Sequence, residues 1–140
     1  MNPDGNGAVA TVTVAVAVVI NAGRCLIARR APGRHLAGFW EFPGGKLEGG
    51  ETPACCLQRE LLEELAIEVA VDAFIAESCF TYESVRVRLL AYTARWESGS
   101  LTLRVHDDYA WVDAAAMTDY RWPPANAPIL RAIIDGGWLG

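Results

Sequence analysis

Residues 45–67 read Gly45-Lys-Leu-Glu-Gly-Gly-Glu51-Thr-Pro-Ala-Cys-Cys-Leu-Gln-Arg59-Glu60-Leu-Leu-Glu63-Glu64-Leu-Ala-Ile67. At about 100° per helical residue, Glu60, Glu63 and Glu64 crowd into a sector of about 100°. Ala54, Leu57, Leu61 and Leu65 share the arc that a helix buries. Thr52 followed by Pro53 reads as an N-cap and a proline at the first helical position, so a helix is expected from there to about Leu65. Like charges at i, i+4 destabilise a helix, so this triad needs a counter-charge. A hard divalent cation with oxygen ligands supplies one, and Mg²⁺ completes its shell with waters and substrate phosphates. On spacing alone, a solvated acidic helix face remains the alternative.

Upstream, the even positions from Val12 to Ile20 carry Val or Ile and the odd ones mostly Thr and Ala. That alternation of large and small side chains predicts a strand buried on both faces. Asn21-Ala-Gly23 reads as a turn, and Arg24 to Arg29 as the second hairpin strand. A loop from Arg30 to Phe39 leads through Trp40-Glu-Phe-Pro-Gly-Gly into the glycine loop. Downstream, strands are expected over Ala73–Phe80, Val85–Trp96, Leu101–Val105 and Tyr109–Val112. Asp113 is expected to cap a brief helix over Ala114–Met117, and a last helix to run from about Asn126 to Asp135. Such an order suits a mixed sheet between helices.

The chain has 140 residues, which makes one domain with a sizeable core. Residues 1–8 read as a flexible tail rather than a signal peptide, and 9–140 as the domain. The apolar run from Val9 to Ile20 is too short to span a bilayer. A net charge of −5 argues against a bulk nucleic-acid or anionic-membrane partner. Local cations must then meet any polyphosphate. Arg24, Arg29, Arg30, Arg34 and Lys46 form a loose basic cluster for that role, or a scatter of solvated charges. Cys25, Cys55, Cys56 and Cys79 have no metal-clip spacing and read as free thiols in a reducing cytosol.

The quoted segment resembles the Nudix box, G-x5-E-x7-R-E-U-x-E-E-x-G-U, with U a bulky aliphatic residue. Gly45, Glu51, Arg59, Glu60, Leu61, Glu63, Glu64 and Ile67 fall in place, and Ala66 stands where the pattern has glycine. From average residue frequencies, such a match has chance odds of about one in a million or less. The resemblance implies an α/β fold, the Nudix α/β/α sandwich with a central mixed β-sheet. It implies a Mg²⁺ cofactor, with Mn²⁺ as a substitute, on Glu60, Glu63, Glu64 and the Gly45 carbonyl. Glu60 or Glu63 would also help deprotonate the attacking water. Arg59, counted with them in the catalytic set, would with Glu51 brace loop and helix by ion pairing. Lys46, the chain's single lysine, and Arg30 are the candidate phosphate contacts.

Two further stretches, Trp40-Glu41-Phe42-Pro43-Gly44-Gly45-Lys46 and Pro123-Pro124-Ala125-Asn126, are similar to MutT-type nucleoside triphosphate pyrophosphohydrolases. That likeness implies hydrolysis of a small-molecule nucleotide to its monophosphate and pyrophosphate by a cytoplasmic monomer or homodimer. Oxidised purine nucleotides such as 8-oxo-dGTP are favoured over CTP or dCTP. In MutT-like enzymes the asparagine matching Asn126 hydrogen-bonds the base; here it could instead cap the last helix. Phe39, Trp40, Phe80 and Tyr82 are candidates for stacking on the base. Val105 stands where these relatives carry a glutamate near the metals, and Asp107, Asp108 and Glu97 are the nearby substitutes. His106 is either a proton shuttle or structural. Hydrolases of nucleotide sugars or dinucleoside polyphosphates are rivals within the family. A non-catalytic Nudix-fold binding module is the rival class, disfavoured by the intact carboxylates and the acidic balance.

Overall fold

The computed structural model describes residues 10–140, so the expected tail over 1–8 lies outside the described residues. Strand β1 (Ala10–Asn21) turns at Ala22-Gly23 into β2 (Arg24–Arg30). Two short strands follow, β3 (Trp40–Glu41) and β4 (Gly44–Lys46), and then helix α1 (Pro53–Leu65). A long hairpin, β5 (Ile67–Tyr82) and β6 (Val85–Gly99), leads to β7 (His106–Val112), α2 (Ala114–Met117) and α3 (Ala127–Asp135).

The sheet runs β3-β2-β1-β6-β5, with β4 beside β1 and β7 beside β2. It is mixed: β1 and β6 are parallel, from Ala10 opposite Val85 to Val19 opposite Ala94, and the other pairs are antiparallel. The alternation in β1 has a direct consequence. Val16 and Val18 pack with Ile27, Phe42, Met117, Ile129 and Ile133 on one side. Ala15, Ala17 and Val19 pack with Leu57, Leu61 and Leu65 on the other. The small residues thus let α1 approach the sheet, and the large ones fill the space under α2 and α3. This is the expected α/β/α sandwich. Leu57, Leu61 and Leu65 are fully buried and each stabilises the fold by about 1.5–3 kcal/mol.

The caps follow the sequence closely. Thr52 accepts the Cys55 amide at 3.1 Å with Pro53 in the first turn, and Asp113 accepts the Ala116 amide at 2.9 Å. Two expectations are corrected. Leu101–Val105 is not a strand: the Thr102 and Arg104 amides donate to the Leu65 and Glu64 carbonyls, so the end of α1 takes the bonds a strand would need. Strand β5 begins at Ile67 rather than Ala73, and its register shifts between Glu68 and Ala76 hide its periodicity. The last helix runs over Ala127–Asp135, as expected, and is preceded by a 3-10 turn over Pro124–Asn126.

Candidate active site

The glycine loop is strapped to β1, with Lys46, Gly45 and Gly44 opposite Val14, Ala15 and Val16. A Cβ on Gly44 would strike the Ala15 carbonyl, and one on Gly45 would run into the Glu60 carboxylate. Glycine at 45 is therefore what lets that carboxylate pack directly on the loop backbone. Beside it the buried Cys56 thiol lies 3.4 Å from the Gly45 carbonyl and 3.6 Å from that of Lys46. Burial, with Glu51 nearby, pushes that thiol up to about 11, so it stays protonated and donates.

Arg59 threads the acidic cluster. Its Nε and Nη2 reach the two Glu51 oxygens at 2.7 and 2.9 Å, while Nη1 reaches Glu60 at 3.0 Å and Glu63 at 3.4 Å. The Arg59 bond, then the Glu48 amide, hold the Glu51 carboxyl down at about 2. Glu63 is 60% exposed, whereas Glu60 is 15% exposed. Glu64 lies nearer the leucine arc, and burial followed by the neighbouring Glu60 charge pushes it up to about 8. The turn ends at Ala66 in the left-handed region (φ 60°, ψ 28°), its amide donating to the Leu61 and Leu62 carbonyls. Arg104 donates to the Glu63 and Leu62 carbonyls at 3.2 and 3.4 Å, supplying the cation that the last turn itself lacks.

Among the described residues no three His, Cys, Asp or Glu side chains are already gathered into a metal cage. The donor set nonetheless fits a hard divalent cation. Glu60 packs against the loop in a cradle that any Cβ at 45 would fill, and Glu64 is a half-buried carboxyl pushed up to about 8 by burial first and by the Glu60 charge second. Carboxylate and carbonyl oxygens gathered on one turn beside a glycine loop are the hard donors that such an ion takes.

A cavity of about 440 Å³ opens beside this turn. Gly45, Lys46, Glu64, Arg34, Arg30 and Glu41 contribute its polar wall; Val14, Val16, Val87 and Leu89 are among its apolar residues; Asn126 also lines it. Glu60 and Glu63 are not among the lining residues. Of the basic cluster, Arg29 is paired with Asp107 at 2.8 Å and Arg30 with Glu41 at 2.7 Å. Arg34 and Lys46 line the cavity without an ion pair among the described residues, so they are the cations available to a phosphate chain. Arg24 lies away from it, beside Asn21.

Glu41 is the residue the sequence did not single out. Its carboxylate receives Arg30 on Oε1 and lies 2.7 Å from His106 Nε2 on Oε2. Burial opposes its ionisation, but the His106 bond and the Arg30 charge outweigh that and hold the carboxyl below the usual carboxylate range. An ionised carboxylate only accepts, so His106 carries its hydrogen on Nε2. Its buried Nδ1 has no partner among the described residues. Val105 faces the cavity, and none of Asp107, Asp108 and Glu97 does. Glu97 pairs with Arg95 at 3.5 Å instead. Of the four candidate aromatics, Tyr82 lines the cavity, and the Phe80 ring packs against it at 4.7 Å, tilted by 54°. Trp40 packs on Tyr120, and Phe39 lies under Arg121. Asn126 is buried and helical (φ −84°, ψ −13°), and makes no side-chain cap bond to α3.

The profile of the NUDIX domain matches residues 15–132. A CTP pyrophosphohydrolase of Escherichia coli is 32% identical, over 88% of this chain and 91% of that one. An 8-oxo-dGTP diphosphatase of Haemophilus influenzae is also 32% identical, over 89% and 92%. The solution structure of the E. coli ORF135 protein superposes with a TM-score of 0.81 at 30% identity, covering 94% of each chain. No described helix is long and apolar enough to cross a membrane. The chain belongs to the NUDIX domain family, among its MutT-type hydrolases.

Proposed function

We propose that this chain hydrolyses nucleoside triphosphates to the monophosphate and pyrophosphate with Mg²⁺, or Mn²⁺ in its place, and favours oxidised purine nucleotides such as 8-oxo-dGTP. One observation carries the reading: a single cavity brings the glycine loop, Glu64 and unpaired cations together with an apolar wall and the Asn126 amide. A divalent ion held by Glu60, Glu63, Glu64 and the Gly45 carbonyl would neutralise phosphate charge and activate water. Lys46 and Arg34 are placed to meet phosphate oxygens directly. Arg59 keeps Glu60 and Glu63 from repelling each other while the site is unloaded, and the bidentate Glu51 pair fixes it. Unpaired cysteines suit a reducing cytosol.

Relatives named for CTP and for 8-oxo-dGTP are equally similar overall, so the base-reading residue has to decide. Asn126, which lines the cavity, supports the purine reading, because its amide can offer a donor and an acceptor side by side to a purine edge. A site built on such bonds rejects bases that leave it unpaired. The test is a panel of 8-oxo-dGTP, dGTP, CTP, dCTP, a nucleotide sugar and a dinucleoside polyphosphate with Mg²⁺, assaying pyrophosphate and orthophosphate separately. Highest kcat/KM for 8-oxo-dGTP with pyrophosphate as product is expected. Preference for the cytidine nucleotides would move the assignment to CTP, and no release from any member would indicate a binding module.

A further inference from the structure

We propose that Ser78 is a specificity-determining positioning residue, its hydroxyl bond to the Ala125 carbonyl holding the Asn126 amide in the cavity. The inference rests on the reading of that cavity as a nucleotide site. Ser78 lies in the second half of β5, is buried, and donates to Ala125 at 2.7 Å across 47 positions of sequence. It stands opposite Leu89, which forms part of the cavity wall, so the bond runs from the sheet to the cavity's rim.

The segment it grips is held otherwise by packing of Ala125 in the core and by its own turn. Pro123 and Pro124 bring no amide hydrogens, and the turn's own bonds run from the backbone amides of Asn126 and Ala127 to the Pro123 and Pro124 carbonyls. Helix α3 lacks a side-chain cap although asparagine, a favoured capping residue, occupies the position. Capping would need Asn126 in extended backbone with its side chain over the first turn of α3. Here its backbone is helical, and its side-chain amide makes no capping bond to α3. Its polar atoms are not among those sealed from solvent without a partner, so the cavity reaches them. Two arrangements therefore compete for one side chain. The Ser78 bond favours the one that faces the ligand, because releasing it would strand a buried carbonyl.

The experiment measures kcat/KM for 8-oxo-dGTP and dGTP in the full chain, for Ser78→Ala, Ser78→Cys and Ser78→Thr, each with and without Asn126→Ala. Ser78→Ala is expected to lower the 8-oxo-dGTP/dGTP ratio about tenfold, the size of one lost hydrogen bond, through KM rather than kcat. Cysteine, a near-isostere with a weak donor, should give a smaller loss, and threonine, which keeps the hydroxyl, should restore the ratio. In the Asn126→Ala background the Ser78 changes should no longer move it. Should Ser78→Ala fail to fold, the cysteine variant decides. A ratio unchanged by the alanine or cysteine variant, with only the melting temperature lowered, overturns the proposal. Inactivity of the parent chain on every triphosphate overturns the nucleotide reading itself, a different result from a selective parent with equally selective variants.

Discussion

Ala66→Gly probes the one position at which the chain departs from its box. The residue sits at φ 60°, ψ 28°, directly after the turn that carries Glu63 and Glu64. A non-glycine residue there costs about 1–2 kcal/mol from the contact between Cβ and the following carbonyl. Glycine removes that cost but adds unfolded-state entropy of about 0.4–1 kcal/mol. The net gain is about 0.5–1 kcal/mol. At roughly 2.1 cal/mol/K per residue, a chain of 140 residues unfolds with an entropy of about 0.3 kcal/mol/K. The melting temperature of the variant should therefore rise by about 2–3 °C, read by calorimetry without metal or nucleotide. The Ala66 amide already caps the Leu61 and Leu62 carbonyls, so the helix end is formed and turnover should not change. A lower melting temperature would refute the backbone argument. A large rise in activity would show that the strain reaches the carboxylates.

Glu63→Gln and Glu64→Gln should each cut turnover by several orders of magnitude while circular dichroism stays native; near-normal turnover would remove them from the metal set. Asn126→Ala should flatten the discrimination between 8-oxo-dGTP and dGTP, measured as a kcat/KM ratio, and an unchanged ratio would return that residue to a structural role. Acid lability has a definite sign. Glu51 is depressed to about 2 from an ordinary 4.5, chiefly by Arg59, so its stabilisation is complete above 4.5 and is lost as pH falls towards 2. Melting temperatures across that window should fall less steeply for Glu51→Gln than for the parent, and parallel slopes would contradict the assignment.

What the sequence made legible follows from where local chemistry agrees with the fold. The β1 alternation is readable because both faces of that strand are buried and each wants a different size of side chain. Helix α1 is readable because Thr52, Pro53 and the leucine arc all specify it locally. Elsewhere a distant partner decides. Leu101–Val105 alternates like a strand, but its amides meet the carbonyls at the end of α1, a partner some forty positions away. Strand β5 is bulged, so its side chains change faces without a sequence marker. Glu41 lies on a strand of two residues, too short to show a period, and its significance comes from Arg30 and His106. The two readings of Asn126 differ in its backbone conformation, which the sequence does not mark, and the bond beside it comes from a serine 47 positions away.

The placement of Arg59 explains why the box couples an arginine and a remote glutamate to the acidic turn. Three carboxylates on one turn would oppose helix formation until a cation arrived. An internal guanidinium touching Glu60 and Glu63 removes that dependence, so α1 can fold and pack its leucines before loading. The same charge would compete with a metal if it had nowhere else to go. Glu51 resolves the conflict by accepting both Nε and Nη2, a bidentate seat that the guanidinium keeps when Glu60 and Glu63 turn away. Glu64 has no arginine partner among the described residues, and burial beside Glu60 keeps it neutral instead. The turn is thus balanced by one fixed cation and one proton, and a divalent ion at the proposed site would displace the proton and draw Glu60 and Glu63 off Arg59 while the Glu51 pair stays.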